Sequence, residues 1–118
     1  DMHLKNFSVY RPEKEWILAP AYDLLPTALV LPDDPDETAL ALNGKRRKLT
    51  RNDFIAFGRT AGLHPKAVNG LIDKILSRAA VLDEHAERAE LAPFYRHALQ
   101  ELLRERIQRL SEAGNSSK

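Results

Sequence analysis

The spacing of apolar residues changes near residue 50, and this change most constrains the fold. Before it, short runs rich in β-branched and aromatic residues alternate with turn-forming residues. After it, apolar residues recur every three or four positions, the spacing of an amphipathic helix. The pattern predicts two short β-hairpins followed by a helical bundle, an α+β chain that is mostly α. The 118 residues contain no internal repeat and suit one small domain or part of a larger one.

Two turns define the predicted hairpins. Residues 7–10 and 15–18 are short strand-forming runs on either side of a polar turn that contains Pro12, and Pro20 stops the second strand. Asn43 and Gly44 lie at the centre of residues 37–49, and Asn-Gly is the strongest two-residue signal for a hairpin turn. An irregular segment and an acidic loop at residues 32–36 separate the two hairpins.

Local end signals predict three helices. Thr50 and Asp53 resemble a capping box, which predicts a helix over residues 51–61 that ends at Gly62. Pro65 opens a second helix and Pro93 a third, since proline is favoured at the first helical position. Residues 114–118 are expected to be a frayed, disordered tail. The apolar stripes expected to form the core are Val68, Leu71, Ile72, Ile75, Leu76 and Ala79, then Leu99, Leu102, Leu103, Ile107 and Leu110.

Composition excludes several classes of function. Eighteen basic and 17 acidic side chains leave a net charge of +1, so overall charge indicates no nucleic-acid binder. The absence of cysteine excludes disulfides and thiolate metal sites and agrees with a reducing, cytoplasmic location. No apolar run approaches the roughly 20 residues that span a bilayer. One local exception to the charge balance is the basic run Lys45, Arg46, Arg47 and Lys48, which is either a solvated face or a contact for an acidic partner or nucleic acid.

Three polar residues have the order and spacing that phosphoryl transfer requires. Asp1 and Asn6 are five positions apart, immediately before the first predicted strand, and Asp23 follows the first hairpin. Protein kinases use an Asp to orient the attacking hydroxyl, and an Asn with a second Asp to hold Mg²⁺ against the nucleotide phosphates. The hairpin folds the chain back, so that Asp23 is expected to approach Asn6.

The residues around these positions resemble one kinase family. Asp1-x-His3-x-Lys5-Asn6 resembles the catalytic loop of the HipA family of bacterial kinases, and residues 19–25 (Ala-Pro-Ala-Tyr-Asp-Leu-Leu) resemble its magnesium segment. The Ala-Leu-Asn-Gly-Lys run at residues 41–45 and the Leu-Thr-x-x-Asp-Phe run at residues 49–54 resemble its downstream region. Motif-level similarity covers residues 1 to about 63.

This resemblance implies a protein kinase-like C-terminal lobe and specific roles. Asp1 would be the catalytic base, Lys5 would neutralise charge on the transferred phosphoryl group, and His3 would brace the loop. Asn6 and Asp23 would be Mg²⁺ ligands. The implied function is ATP- and Mg-dependent phosphorylation of a serine or threonine of a protein by the toxin of a toxin–antitoxin pair. The implied partners are that protein substrate and a HipB-type antitoxin, with DNA reached only through the antitoxin and no membrane.

A kinase also needs a small lobe with a loop over the phosphates and a phosphate-binding lysine, and this sequence has no glycine-rich loop. Because the chain begins on Asp1, we expect it to be part of a longer protein whose N-terminal lobe is absent here, and we expect the 118-residue chain alone to be inactive. The predicted division is residues 1–25 for catalytic loop, hairpin and metal segment, 37–49 for the second hairpin, 50–113 for the helical part and 114–118 for the tail.

Two other functions remain open at this point. The chain could be a degenerate, non-catalytic lobe that binds an antitoxin protein or DNA through residues 45–48 and a helical face. It could also belong to a kinase of small molecules, since related folds phosphorylate sugars, choline and antibiotics. Convergence of Asn6 and Asp23 on one metal ion would favour a kinase, whereas separate environments for the two side chains would favour the interaction module.

Overall fold

The structure, a computed structural model, describes residues 4–21, 26–31 and 33–112. These ranges form an α+β fold that is mostly helical, as predicted. A 3₁₀ turn at Leu4–Asn6 precedes β1 (Val9–Tyr10) and β2 (Ile17–Leu18), and the helices are α1 (Thr27–Val30), α2 (Arg51–Thr60), α3 (Pro65–Leu76), α4 (Ala79–Arg88) and α5 (Pro93–Ser111). Asp1, His3, Asp23 and the predicted tail lie outside the described residues.

The first predicted hairpin is confirmed. β1 and β2 pair antiparallel, with Val9 opposite Leu18 and Tyr10 opposite Ile17. Their connection is held by the Arg11 side chain, whose Nε donates to the Lys14 carbonyl at 2.8 Å. All four strand residues are exposed, so this small sheet presents apolar side chains on both faces.

The second predicted hairpin forms only its turn. Asn43 (φ 52°) and Gly44 (φ 73°) adopt the positive φ values of a type I′ turn, and a single bridge joins Leu42 to Lys45. The expected strands on either side are absent from residues 37–49. The ladder stops because the backbone N–H groups of Lys48 and Leu49 donate to the Glu37 carboxylate, and because Lys48 has a φ of 51°.

The ends of α2 and α3 follow the predicted signals. A capping box between Thr50 and Asp53 opens α2, and Gly62 (φ 79°) follows its last turn. Pro65 is the first residue of α3, where His64 Nδ1 accepts a hydrogen bond from the Lys66 backbone N–H. The two helices therefore join through a four-residue connection, residues 61–64.

A break at Ser77 and Arg78 separates α3 from α4, a helix that the apolar spacing did not reveal. The Ser77 hydroxyl donates to the Lys74 carbonyl at 2.7 Å, and the Arg78 N–H donates to the Ile75 carbonyl three residues back. These bonds tighten the last turn and use carbonyls that a continuing α-helix would need. Ala79 consequently begins α4 instead of extending the stripe of α3.

The core is smaller than the stripes predict. Among the described residues, the buried apolar side chains are Leu49, Val68, Ile72 and Ala86, in three different parts of the chain. Leu71 and Ile75, expected inside, are 58% and 57% exposed. α3 turns only its Val68 and Ile72 side toward the interior, and no described element covers its other apolar flank.

α5 organises the rest of the fold. It packs along α4 and also contacts α1, α2 and α3. Its predicted inward residues are half-buried, namely Leu99, Leu102, Leu103, Ile107 and Leu110. Among the described helices, none combines the length and apolar character required to cross a membrane.

Candidate functional site

The predicted catalytic loop enters the described structure as a 3₁₀ turn. Lys5 and Asn6 lie together on that turn, with Lys5 exposed and Asn6 half-buried. Ser8 follows, and its carbonyl accepts the Ala19 N–H at 2.8 Å. This bond continues the pairing of β1 with β2 by one residue, so the chain beyond β2 runs beside the chain that leaves the catalytic loop.

The pairing of the hairpin ends two residues short of Asn6. Ser8 and Ala19 are the last residues joined by a backbone hydrogen bond, and Asn6 belongs to the 3₁₀ turn that precedes them. The hairpin thus returns the start of the predicted magnesium segment to the catalytic loop, although Asp23 itself is not among the described residues.

The chain after the magnesium segment is anchored on α5. α1 begins at Thr27 and contacts α5. Between them lies a cavity of about 370 Å³, with Leu99 and Leu102 of α5 on one side and residues 26–28 on the other. The described residues before and after residues 22–25 therefore each contact another element, Ala19 the start of β1 and α1 the helix α5.

A buried carboxylate, Asp53, organises the turn that follows. Asp53 is 5% exposed and accepts four hydrogen bonds. Lys45 Nζ donates at 2.6 Å, Asn43 Nδ2 at 2.9 Å, and both the backbone N–H and the hydroxyl of Thr50 at 2.9 Å. The Asn43–Lys45 turn is thereby bound to the first turn of α2.

These hydrogen bonds also decide the charge of Asp53. Burial alone would raise the pKa of the carboxyl, because it removes the charged form from water. The hydrogen bonds from Lys45, Asn43 and Thr50 outweigh that cost and hold the pKa of Asp53 well below its ordinary value. Asp53 is therefore an ionised anchor and not a proton donor or acceptor at neutral pH.

A second carboxylate, Glu37, holds the other end of the same loop. It accepts the backbone N–H groups of Lys48 and Leu49 at 3.0 and 3.1 Å. Arg109 donates to both of its oxygens, at 3.2 and 2.8 Å, and Arg106 lies 3.1 Å from Oε1. Glu37 is thus a clamp between the loop and α5.

The predicted basic contact surface is partly occupied from within. Lys45 pairs with Asp53, and Arg46 lies 3.7 Å from Asp36. Arg47 and Lys48 are exposed and, within the part of the chain that the structure describes, form no ion pair. All four cations are exposed, and the first two have acidic partners within the chain while the last two have none among the described residues.

Sequence reasoning missed both carboxylate anchors. Asp53 was recognised as a helix cap within a family-like run, and Glu37 only as the first residue of the 37–49 hairpin range. The spacing of Asn43, Lys45 and Asp53 gave a usable signal, because a turn just before a capping carboxylate brings cation and anion close together. The pairing of Glu37 with Arg109, 72 residues away, left no local signal.

The chemistry of the donors at the predicted metal site suits Mg²⁺, which prefers the amide and carboxylate oxygens that Asn6 and Asp23 carry. Within residues 4–21, 26–31 and 33–112, no group of three or more His, Asp or Glu is arranged to hold a metal ion. The site at Asn6 and Asp23 therefore stays a prediction.

Comparison with known proteins agrees with the motifs. A search of curated proteins gave no significant match. A family model described as the HipA-like C-terminal domain matches residues 1–83, about 70% of the chain, and this stretch contains the catalytic-loop, hairpin and magnesium-segment residues together with α2 and α3. The chain therefore belongs to the HipA-like C-terminal domain family.

Proposed function

We propose that this chain forms the catalytic-loop and magnesium-binding part of an ATP- and Mg-dependent serine/threonine protein kinase. In this proposal the kinase is the toxin of a bacterial toxin–antitoxin pair, acts in the cytoplasm, and is bound by a HipB-type antitoxin that provides its link to DNA. The observation that carries the proposal is the return of β2 to the catalytic loop through the Ala19–Ser8 bond. Membership of the HipA-like family supports it independently.

The proposal assigns one task to each residue. The Asp1 carboxylate orients the acceptor hydroxyl and takes its proton, and His3 braces the loop that carries it. Lys5, exposed on the 3₁₀ turn, neutralises charge on the transferred phosphoryl group. Asn6 and Asp23 provide the oxygen ligands for Mg²⁺, which supplies the charge that offsets the phosphate oxygens.

The described residues on either side of Asp23 have contacts with the rest of the fold. The Ser8–Ala19 bond holds one flank of the magnesium segment, and α1 on α5 holds the other. Catalysis of phosphoryl transfer depends almost entirely on positioning and electrostatic stabilisation, so small displacements of the two metal ligands are costly.

Activity also requires a lobe that covers the nucleotide phosphates. We expect phosphorylation from a protein that combines this chain with such a lobe, and none from the 118 residues alone. Transfer of label from ATP by the purified 118-residue chain would contradict this expectation.

The test of the proposed function uses radiolabelled ATP, the protein with its nucleotide-binding lobe and a cell lysate, with labelled proteins identified by mass spectrometry. Asp1→Gln should lower labelling at least about 100-fold, the usual contribution of a positioned general base. Asn6→Ala and Asp23→Asn should each raise the Mg²⁺ concentration needed for half-maximal rate. Asp33→Asn is the matched control, because it makes the same chemical change in an exposed loop residue.

Three outcomes would contradict the proposal. Label that persists in Asp1→Gln removes Asp1 from the mechanism. An unchanged Mg²⁺ requirement in both ligand variants removes the metal site. Label that appears on a small molecule and not on protein supports the small-molecule kinase.

The competing function is a non-catalytic module that binds an antitoxin or DNA through residues 45–48. All four cations are exposed, but Lys45 and Arg46 have internal partners, so among the described residues Arg47 and Lys48 are the cations of that surface without an ion pair. Arg47→Gln combined with Lys48→Gln should therefore weaken antitoxin binding if this module exists, and should leave phosphorylation unchanged if the kinase proposal is right.

A further inference from the structure

The cavity between α1 and α5 is an apolar pocket that the described residues leave open. Its volume is about 370 Å³, within the range of ligand-binding pockets. Leu99, Leu102 and Leu103 of α5 lie on one side, Pro26 and Ala28 lie on the other, and the three leucines are half-buried. Because contact of these leucines with water is unfavourable, an apolar side chain that entered the pocket would be stabilised by their burial.

A polar pocket adjoins the apolar one. It has a volume of about 230 Å³ and shares Thr27 and Thr38 with the apolar pocket, so the two form a single depression, the α1–α5 groove. Asp34, Asp36 and Arg46 also line the polar pocket. The contact of Asp36 with Arg46 is 3.7 Å long and exposed, hence weak, and Asp34 forms no ion pair among the described residues. The polar end of the groove therefore has an excess of negative charge.

The surrounding chain has the same sign of charge. Aspartate and glutamate are the only charged residues in residues 15–44, although the whole chain has 18 lysines and arginines. Glu37 and Arg106, which also line the groove, lie 3.1 Å apart and leave its net charge unchanged. Negative charge beside the proposed ATP site repels the nucleotide phosphates. A positively charged protein substrate is a partner that would offset this cost.

The groove begins close to the proposed metal ligand. Pro26, which lines the apolar pocket, is three residues after Asp23, so their Cα atoms are at most about 11 Å apart. An extended peptide advances about 3.3 Å per residue. A substrate segment whose acceptor hydroxyl lies at the metal would therefore reach the groove about three to four residues from that acceptor.

We propose that the α1–α5 groove binds the protein substrate of this kinase, with a large aliphatic side chain in the apolar pocket and a neighbouring lysine or arginine beside Asp34 and Asp36. This inference rests on the proposed function and names the class of segment that the same site takes. The acceptor serine or threonine lies about four residues from an aliphatic residue that has a cation beside it. The groove acts on the binding of the substrate, so its loss raises KM more than it lowers kcat.

The test uses fluorescein-labelled peptides that carry one serine, a leucine about four residues away and an arginine beside the leucine, made in both chain directions. Matched peptides replace the leucine by alanine or the arginine by glutamate. Fluorescence anisotropy measures binding to the 118-residue chain without nucleotide, and label transfer from ATP by the protein with its nucleotide-binding lobe gives KM and kcat. The alanine peptide should bind at least about 10-fold more weakly. The glutamate peptide should bind about 10-fold more weakly at low salt, and this difference should shrink at high salt.

Two variants test the two ends of the groove. Ala28→Phe places a ring at the apolar pocket and should raise KM for the leucine peptide at least about 10-fold. Asp34→Asn with Asp36→Asn removes both charges and keeps an oxygen that accepts the backbone N–H of residue 36. This double variant should abolish the preference for arginine over glutamate and leave the preference for leucine over alanine.

Matched controls lie on α4 and just after it. Ala80→Phe adds the same ring at another exposed alanine, and Glu87→Gln with Glu90→Gln removes two exposed carboxylates. Circular dichroism melts establish that every variant is folded.

The result that overturns this inference differs from the one that overturns the proposed function. If the peptides are phosphorylated but both groove variants keep the wild-type KM, or the controls raise KM as much, the kinase stands and the substrate role of the groove is wrong. Equal binding of the leucine and alanine peptides to the wild-type chain also contradicts it. If neither a serine peptide nor a lysate protein is phosphorylated, the proposed function fails, and the substrate role of the groove fails with it.

Discussion

Replacement of Asp53 by alanine tests the claim that one buried carboxylate organises the Asn43–Lys45 turn and the start of α2. The variant leaves the Lys45 ammonium, the Asn43 amide and two Thr50 donors without their acceptor. Breaking a buried charge pair typically costs about 3–5 kcal/mol. Lys45 is 42% exposed, so water can hydrate its ammonium group in the variant, and this lowers the cost of losing its partner. We therefore expect a loss of about 3 kcal/mol in the free energy of unfolding.

Urea unfolding followed by circular dichroism measures this loss. With a slope of about 2 kcal/mol per molar urea, the midpoint should fall by about 1.5 M. Asp53→Asn should lose less, about 1–2 kcal/mol, because its amide oxygen still accepts from Thr50 while the charge pair with Lys45 is gone. Asp33→Ala, a change in an exposed loop residue, should stay within about 0.5 kcal/mol.

The stability difference between wild type and Asp53→Ala should also depend on pH. The pKa of Asp53 is lowered in the folded chain relative to about 3.9 in the unfolded one, so the ionised carboxylate stabilises the fold. This contribution is complete above about pH 5 and is lost as the pH falls below about 4 toward the lowered folded pKa. The stability difference between wild type and Asp53→Ala should therefore narrow between pH 5 and pH 2.

Two results would refute this reasoning. A loss below about 1 kcal/mol in Asp53→Ala would mean that the four donors find water or other acceptors at little cost. A difference that stays constant down to pH 2 would mean that the ionised carboxylate is not what stabilises the turn.

The other predictions concern the second anchor and the glycines. Glu37→Gln should lose about 2 kcal/mol by urea unfolding, because Arg106 and Arg109 lose the half-buried carboxylate that they share and keep only Glu105. Glu105→Gln removes the exposed partner of the same arginines and should lose at most about 0.5 kcal/mol. Gly58→Ala should cost about 1–3 kcal/mol by overpacking against Val68, and the cost should shrink in a Val68→Ala background; no such recovery would contradict the close helix approach. Gly70→Ala should stabilise α3 by about 1 kcal/mol, and a lower melting temperature would show that its surroundings are not open.

Element ends were the most predictable part of the fold. Pro65 and Pro93 begin α3 and α5, and Gly62 follows α2 with a positive φ, as expected. The Asn43-Gly44 turn also has the expected geometry. These signals act within a few residues, through fixed φ values and caps, and so they can be recognised without knowledge of the tertiary fold.

For the candidate site, the sequence identified the family but not the geometry. The spacing of Asp1, Asn6 and Asp23 and the flanking motifs identified the family, which the match over residues 1–83 confirms. The catalytic roles of these residues remain predictions. The hairpin pairing adds that Ala19 returns to Ser8, two residues after Asn6, and spacing alone could not establish this register.

The sequence by itself determined the first hairpin, the caps that bound α2, the prolines that open α3 and α5, and the family to which the chain belongs, but it revealed neither α1 nor α4. Only the tertiary structure decided the path of residues 37–49. Its backbone donors are taken by Glu37, which α5 holds through Arg109, so the expected strands do not form. The tertiary structure also decided which cations have acidic partners. Lys45 pairs with the buried carboxylate of Asp53, whereas Lys66 is exposed and forms no ion pair among the described residues. A cap depends on neighbours in sequence, whereas the partner of a charge depends on which distant helix packs beside it.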